Sequence, residues 1–257
     1  MSRYNTRPCM GYQSPLNNSS LLYPPPSLKN TLGLVLAGGE SRRMPGTDKA
    51  LLSVQGETLA YRACRRLLLQ VRQILISSNN VVFQAAGSLP DNVALVSDDA
   101  LSKGELQKKG PLSGVLSALL TPHFSAAEAV DSGMKQQRYE WLLLAPVDAP
   151  GFPSNLFALL TTGADKAVTS YGSAESDSGC VRVMHDGSRL QPLFALIHKS
   201  VAIGLQRYLL TGGRSVHGWL EEQPHWQIDG SQYAENFRNI NDPDQWQDWL
   251  ASEAPGT

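Results

Sequence analysis

The residues best suited to chemistry lie in one polar loop, Leu36-Ala37-Gly38-Gly39-Glu40-Ser41-Arg42-Arg43-Met44, which continues to Thr47-Asp48-Lys49. Gly38 and Gly39 follow an apolar run directly. Without Cβ atoms they let backbone N–H groups come close to a phosphate. Arg43 and Lys49 add positive charge, and an arginine fork can hold two phosphate oxygens at once. A polyphosphate is the ligand such a loop suits. It is not a Walker loop, because Gly39 and Gly46 are wrongly spaced and Gly-Lys-Ser/Thr is absent. It is not G-x-G-x-x-G either. A glycine pair alone is also an ordinary turn, so the specificity lies in the whole string.

A second group of candidates is acidic. Asp148 follows the apolar run Trp141–Ala145, which predicts a carboxylate just beyond a strand end. Such a carboxylate can ligate a magnesium ion that also bridges phosphate oxygens. Asp148 can equally cap a turn, since Asp-x-Pro is common turn chemistry. Asp98 and Asp99 follow Val93–Val96 in the same manner, and either can cap a helix instead. Other reactive patterns are missing: there is no G-x-S-x-G, and the five histidines form no i, i+4 pair. The three cysteines, Cys9, Cys64 and Cys180, form no C-x-x-C pair, which suits a reducing cytoplasm.

The elements that would hold these residues are legible as alternating short apolar runs and helical patterns. Leu32–Ala37, Ile74–Ile76, Val93–Val96 and Trp141–Ala145 read as buried strands. Helices are expected over about 58–70, 112–120 and 154–160. In the first, Leu59, Ala63, Leu67 and Val71 share a face, and Arg62, Arg65 and Arg66 point largely to solvent. Alternation of this kind predicts an α/β fold: a three-layer αβα sandwich around a Rossmann-like, mainly parallel sheet. Such sheets bind ligands beyond the carboxyl ends of their strands. The loops after Ala37, Ser77, Val96 and Val147 are therefore the places for chemistry.

Residues 1–28, rich in Asn, Ser and Pro, are expected to be a flexible, dispensable extension, and 29–257 a single domain. Stretches 121–140 and 171–189 read as patternless insertions. With 42% hydrophobic and 18% charged residues and a net charge of −1, the chain offers no global basic field for nucleic acid or anionic membrane. No apolar stretch reaches the length of a membrane span.

The glycine loop resembles the signature L-A-G-G-x-S-x-R-M-(x)-D-K of the molybdenum cofactor guanylyltransferases, within the nucleotidyltransferase superfamily. Four further segments match in order: Gly110-Pro111-Leu112-Ser113-Gly114, Pro146-Val147-Asp148-Ala149-Pro150, Gln191–Leu196, and Phe237-Arg238-Asn239-Ile240-Asn241-Asp242-Pro243. Together they span residues 32 to about 250. The resemblance implies transfer of GMP from GTP to molybdenum-bound molybdopterin, with release of pyrophosphate and Mg2+ as cofactor.

It assigns Gly38, Gly39, Arg43 and Lys49 to the triphosphate, Asp148 to the metal and one aspartate after the third strand to the nucleotide, here Asp98 with Asp99 as its competitor. Leu36 and Ala37 (through backbone groups) and Ser77, where family members can carry Asn, are assigned to the base. Asn239 and Asn241 go to the pterin, with Gln191 and Arg214 as weaker candidates. The resemblance also implies a cytoplasmic enzyme whose protein contacts are transient, with cofactor-biosynthesis or molybdoenzyme-maturation proteins. The rivals are a molybdopterin cytidylyltransferase or sugar-phosphate nucleotidyltransferase with the same phosphate chemistry, and a non-catalytic GTP-binding module. By resemblance, the double glycine and the Gly110–Gly114 string favour the guanylyl branch. Lys49 together with Asp148 favours turnover.

Overall fold

Strand β1, Thr31–Leu36, is buried at all six positions, as expected of a strand with a neighbour on each side and helices over both faces. The computed structural model describes residues 23–38, 48–78, 91–97, 110–124, 138–163, 168–169 and 180–253. Its strands after β1 are β2 (Ser53–Val54), β3 (Glu57–Thr58), β4 (Ile74–Ser77), β5 (Val93–Val96), β6 (Trp141–Pro146), β7 (Val168–Thr169), β8 (Val181–His185), β9 (Leu190–His198) and β10 (Trp226–Asp229). The helices are α1 (Leu59–Leu68), α2 (Pro111–Leu119), α3 (Leu156–Thr162), α4 (Ala202–Leu210), α5 (Val216–Glu221) and α6 (Pro243–Glu253).

Eight strands form one sheet in the order β5-β4-β1-β6-β9-β8-β10-β7, and β2 and β3 form a small hairpin. The first four strands of the sheet are mutually parallel. Beyond them β9 runs antiparallel to β6 and to β8, while β10 is parallel to β8. The register matters most for function. Leu36 pairs with both Ser77 and Pro146, and Ser77 pairs with Val96. Four strands thus end level, and the loops that follow them leave from one edge.

Alternation along β1 sends Leu32, Leu34 and Leu36 into one core and Val35 into the other. The first core contains residues of α2, α4 and α5, the second residues of α1 and α3. This is the expected αβα sandwich. Each fully buried leucine contributes about 1.5–3 kcal/mol by leaving water. Leu143→Ala, in the centre of β6, would therefore cost about 2–5 kcal/mol once the cavity is included.

Two expectations change on contact with the structure. Arg62 and Arg66 do not face solvent: Arg62 is 9% exposed and lies over the Trp249 ring at 5.3 Å, and Arg66 Nε donates to Phe152 O at 2.8 Å. Long arginine stems cover apolar surface while their heads find partners, which helical spacing alone does not reveal. Only Arg65 remains exposed, paired with Glu57 at 3.3 Å. Part of the expected insertion 171–189 is the core strand β8. Its Val181 and Val183 face one core, while Arg182 lies over the Trp141 and Trp226 rings. A charged residue in mid-strand hid the alternation.

The proline-rich stretch makes contacts with the sheet at residues 23 and 24. Trp141 Nε1 donates to Pro24 O at 2.9 Å, and the Tyr23 ring packs on His198 with centroids 4.1 Å apart. Among the described residues, no helix is long and apolar enough to cross a membrane.

Candidate active site

The level strand ends build the floor of the site. Ala37 N donates to Ser77 O at 2.9 Å and Val147 N to Leu36 O at 3.1 Å, so the chain leaving β1 stays tied to both neighbours. Ala37 is buried, and Gly38 is the first exposed residue after the strand. Among the described residues, a Cβ on Gly38 would meet only Ser77 O, at 3.8 Å.

The next wall is the start of α2. Gly110 has φ +75°, a left-handed conformation that favours glycine, and Pro111 opens the helix where its missing N–H loses no bond. Gly114 lies so close to β4 that a Cβ there would overlap Ser77 Oγ and come within 3.0 Å of Ser77 Cβ and 3.2 Å of Leu36 Cδ2. Ser77 is buried, and its side chain lies against the first turn of α2.

Lys49 opens the short 3-10 turn Lys49–Leu51, fixed by Asp48, whose carboxylate accepts from Ala50 N at 2.9 Å. Its ammonium donates to Asn241 Oδ1 at 2.8 Å and lies 3.5 Å from Asp148 Oδ2. Lys49 and Asp148 retain 16% and 23% side-chain exposure, enough for a ligand to reach them but too little for full hydration. Burial pushes the Asp148 carboxyl above the ordinary carboxylate range; the Lys49 charge and hydrogen bond, and its own backbone N–H, oppose that shift. Asp148 also fixes the chain that brings Asn241, because its carbonyl accepts from Ile240 N at 2.6 Å.

An anionic carboxylate, a cation and an amide thus meet beside the glycine loop's origin. Such a group can receive a polyphosphate and a divalent ion. Among the described residues no three His, Cys, Asp or Glu side chains converge as a metal cage. Among the described residues the donor is one desolvated carboxylate, Asp148, which suits a hard cation taking its other oxygens from phosphates and water.

A sequence model described as the MobA-like NTP transferase domain matches residues 33–226. A molybdenum cofactor guanylyltransferase of Pasteurella multocida (strain Pm70) is 32% identical over 209 residues, covering 81% of this chain and 93% of that protein. One from Yersinia pseudotuberculosis serotype O:1b (strain IP 31758) is 30% identical over 221 residues, covering 85% and 95%. This chain belongs to the MobA-like NTP transferase family. It is thereby a nucleotidyltransferase by family. The fold agrees: molybdopterin-guanine dinucleotide biosynthesis protein A from Archaeoglobus fulgidus superposes with a TM-score of 0.61 at 20% identity, covering 86% of this chain and 97% of that one.

Of the residues singled out from the sequence, Leu36, Ala37, Gly38, Ser77, Lys49 and Asp148 lie at one edge of the sheet or in the turns beside it. Gly39, Arg43, Asp98 and Asp99 lie outside the described residues. Asn239 and Asn241, expected to act together, differ: Asn239 is exposed, and Asn241 is half-buried against Lys49. Gln191 Nε2 donates to Asp186 Oδ2 at 2.5 Å, and Arg214 is exposed.

Sequence reasoning missed two contacts. One is Gly114 on Ser77, for which the segment Gly110–Gly114 offered only a motif and no partner. The other is Gln245, whose Oε1 accepts from Asn241 N at 2.7 Å while its own N–H donates to Asp242 Oδ1 at 2.9 Å. Asp242 followed three residues later by Gln is a capping-box spacing, so that signal was present in the sequence.

Proposed function

We propose that this nucleotidyltransferase moves GMP from GTP to the terminal phosphate of molybdenum-bound molybdopterin, making the guanine dinucleotide form of the cofactor. The observation that carries the proposal is the Lys49–Asp148–Asn241 cluster at the level strand ends, in a chain whose curated relatives are named molybdenum cofactor guanylyltransferases. An oxygen of the acceptor phosphate attacks the α-phosphorus of GTP in line. The new P–O bond forms as the bond to the bridging α–β oxygen breaks, and pyrophosphate leaves with that electron pair. No protein nucleophile is needed, because the acceptor is already an anion.

The chain's own work is positioning and charge. Gly38 and Gly39 admit the phosphates to the backbone, and Arg43 and Lys49 hold them. Leu36, Ala37, Ser77 and Asp98 hold the nucleoside, and Asn239 belongs to the pterin side. Members of this class work with a divalent cation, and Asp148 is the residue that would hold Mg2+ here. The bound ion would offset charge on the transferred and leaving phosphates. Asp148 fits that task because its carboxylate is poorly solvated and already faces a cation, Lys49. The buried free thiols Cys64 and Cys180 are consistent with a reducing cytoplasm as the place of action. Contacts with cofactor-biosynthesis or molybdoenzyme-maturation proteins would be transient.

Calorimetry of GTP, CTP and ATP in the presence of magnesium tests the donor, and formation of molybdopterin guanine dinucleotide tests the reaction. GTP should bind most tightly. Preference for CTP would replace the guanylyl reading by the cytidylyl one, and nucleotide binding without product would leave a non-catalytic module.

A further inference from the structure

Residues 239–245 form the strap between the last 3-10 turn, Ser231–Phe237, and helix α6. They lie beyond residue 226, where the match to the family model ends. The strap is nevertheless bonded to the centre of the site at two points. Ile240 N donates to Asp148 O at 2.6 Å, and Asn241 Oδ1 accepts from Lys49 Nζ at 2.8 Å. A third bond holds the strap from behind, Asn241 N to Gln245 Oε1 at 2.7 Å, and Gln245 itself sits in the first turn of α6. That helix contributes Trp246 and Trp249 to the core around α1, where Arg62 covers the Trp249 ring. A continuous set of contacts therefore runs from the buried flank of α1, through the cap of α6, to the ammonium of Lys49.

We propose that Asn241, held by Gln245, is a positioning residue for Lys49 and acts on the triphosphate side of the reaction, not on the pterin side. This rests on the proposed function for the identity of the ligand. A lysine carries several rotatable bonds, so an ammonium held only by Asp148 would follow that carboxylate wherever it is engaged. Asn241 supplies a neutral acceptor that keeps Lys49 aimed when Asp148 turns to a cation. The hydrogen bond is charge-assisted, shorter than the 3.5 Å approach to Asp148, and made by a group with no charge of its own to compete for metal.

The test is a double-mutant cycle read by calorimetry of magnesium–GTP. Asn241→Ala should weaken binding about ten-fold in the parental chain. In a Lys49→Ala background the same change should weaken it less than about two-fold, because its partner is gone. The KM for the acceptor should stay within about two-fold of the parent. Gln245→Leu should reproduce part of the loss, and Gln245→Glu, which keeps an acceptor oxygen for Asn241 N, should restore it.

A second arm needs no nucleotide. The rate at which an acetylating reagent modifies Lys49, mapped by mass spectrometry, should rise several-fold in Asn241→Ala. Thermal unfolding of each variant near the parental midpoint confirms that the fold is kept.

Equal losses on both backgrounds, with Lys49 acetylated at the parental rate, overturn the proposal. So does a raised acceptor KM with GTP affinity intact, which would make Asn241 a pterin ligand. If the parental chain prefers CTP, the assignment of the base fails while the same cycle, run with CTP, still decides Asn241. If it binds no nucleotide at all, the proposed function fails and the acetylation rate alone decides whether Asn241 holds Lys49.

Discussion

Replacing Gly114 by alanine puts a methyl group where the first turn of α2 presses on the ends of β1 and β4. Two effects oppose each other. In an exposed helix the change would stabilise by about 1 kcal/mol, because glycine is the poorer helix former. Here the new Cβ would overlap Ser77 Oγ and lie 3.0 Å from Ser77 Cβ and 3.2 Å from Leu36 Cδ2. The serine hydroxyl can rotate away and the leucine methyl can yield a few tenths of an ångström. Ser77 Cβ cannot, since it is fixed to a strand paired on both sides. Overpacking of this kind costs about 1–3 kcal/mol, so the net effect is a destabilisation of up to about 2 kcal/mol.

In a domain of this size that lowers the midpoint by about 2–4 °C per kcal/mol. Denaturant unfolding of Gly114→Ala measures it. Introducing Ser77→Gly removes the obstructing atoms, and on that background Gly114→Ala should become stabilising by about 1 kcal/mol. The same methyl would move the first turn of α2 away from the nucleotide end, so GTP affinity should fall with stability in the single variant. If Gly114→Ala stabilises the parental protein by its full helix propensity with GTP affinity unchanged, the close approach of α2 to β4 does not organise this site.

Lys49→Ala should raise the KM for GTP and slow pyrophosphate release while circular dichroism stays parental, since an ion pair with solvent access contributes little to stability; unchanged kinetics would remove Lys49 from the site. Asp148→Asn should lower turnover by about 10²-fold or more, with altered magnesium dependence, and parental turnover would refute the metal role. The same variant carries a pH signature. Because burial raises the folded pKa of Asp148 above 3.8, the parental protein loses stability as pH rises through that raised value. The Asn variant lacks this loss, so its melting midpoint relative to the parent should increase from acidic to neutral pH, and a constant difference would show that Asp148 is not desolvated.

A chain beginning at Lys29 should melt below one beginning at Tyr23. It loses the Tyr23–His198 contact and leaves the Trp141 indole N–H without Pro24 O, at a cost of about 1–3 kcal/mol. Equal midpoints would show that this stretch is only draped on the surface.

Periodicity and composition by themselves determined the class of fold. Six-residue apolar runs such as Thr31–Leu36 and Trp141–Pro146 are buried along their whole length, and a strand buried on both faces has to sit inside a layered α/β sheet. That in turn placed Leu36, Ser77 and Asp148 at one edge, because parallel strands deliver their carboxyl ends together. The glycine loop and its charges could be singled out as residue types that suit a phosphate, but positions 39–47 lie outside the described residues.

Only the tertiary structure decided which side chains meet. Lys49 and Asn241 are 192 positions apart, and no local pattern records that one donates to the other. Arg62 looked like a solvent-facing charge and is buried over a tryptophan ring instead. Nor does any local pattern record that Gly114 of α2 lies close against the Ser77 hydroxyl at the end of β4. Local sequence sets the conformation of each segment through sterics and burial. Distances between segments follow from how the layers pack, and that packing is a property of the whole chain.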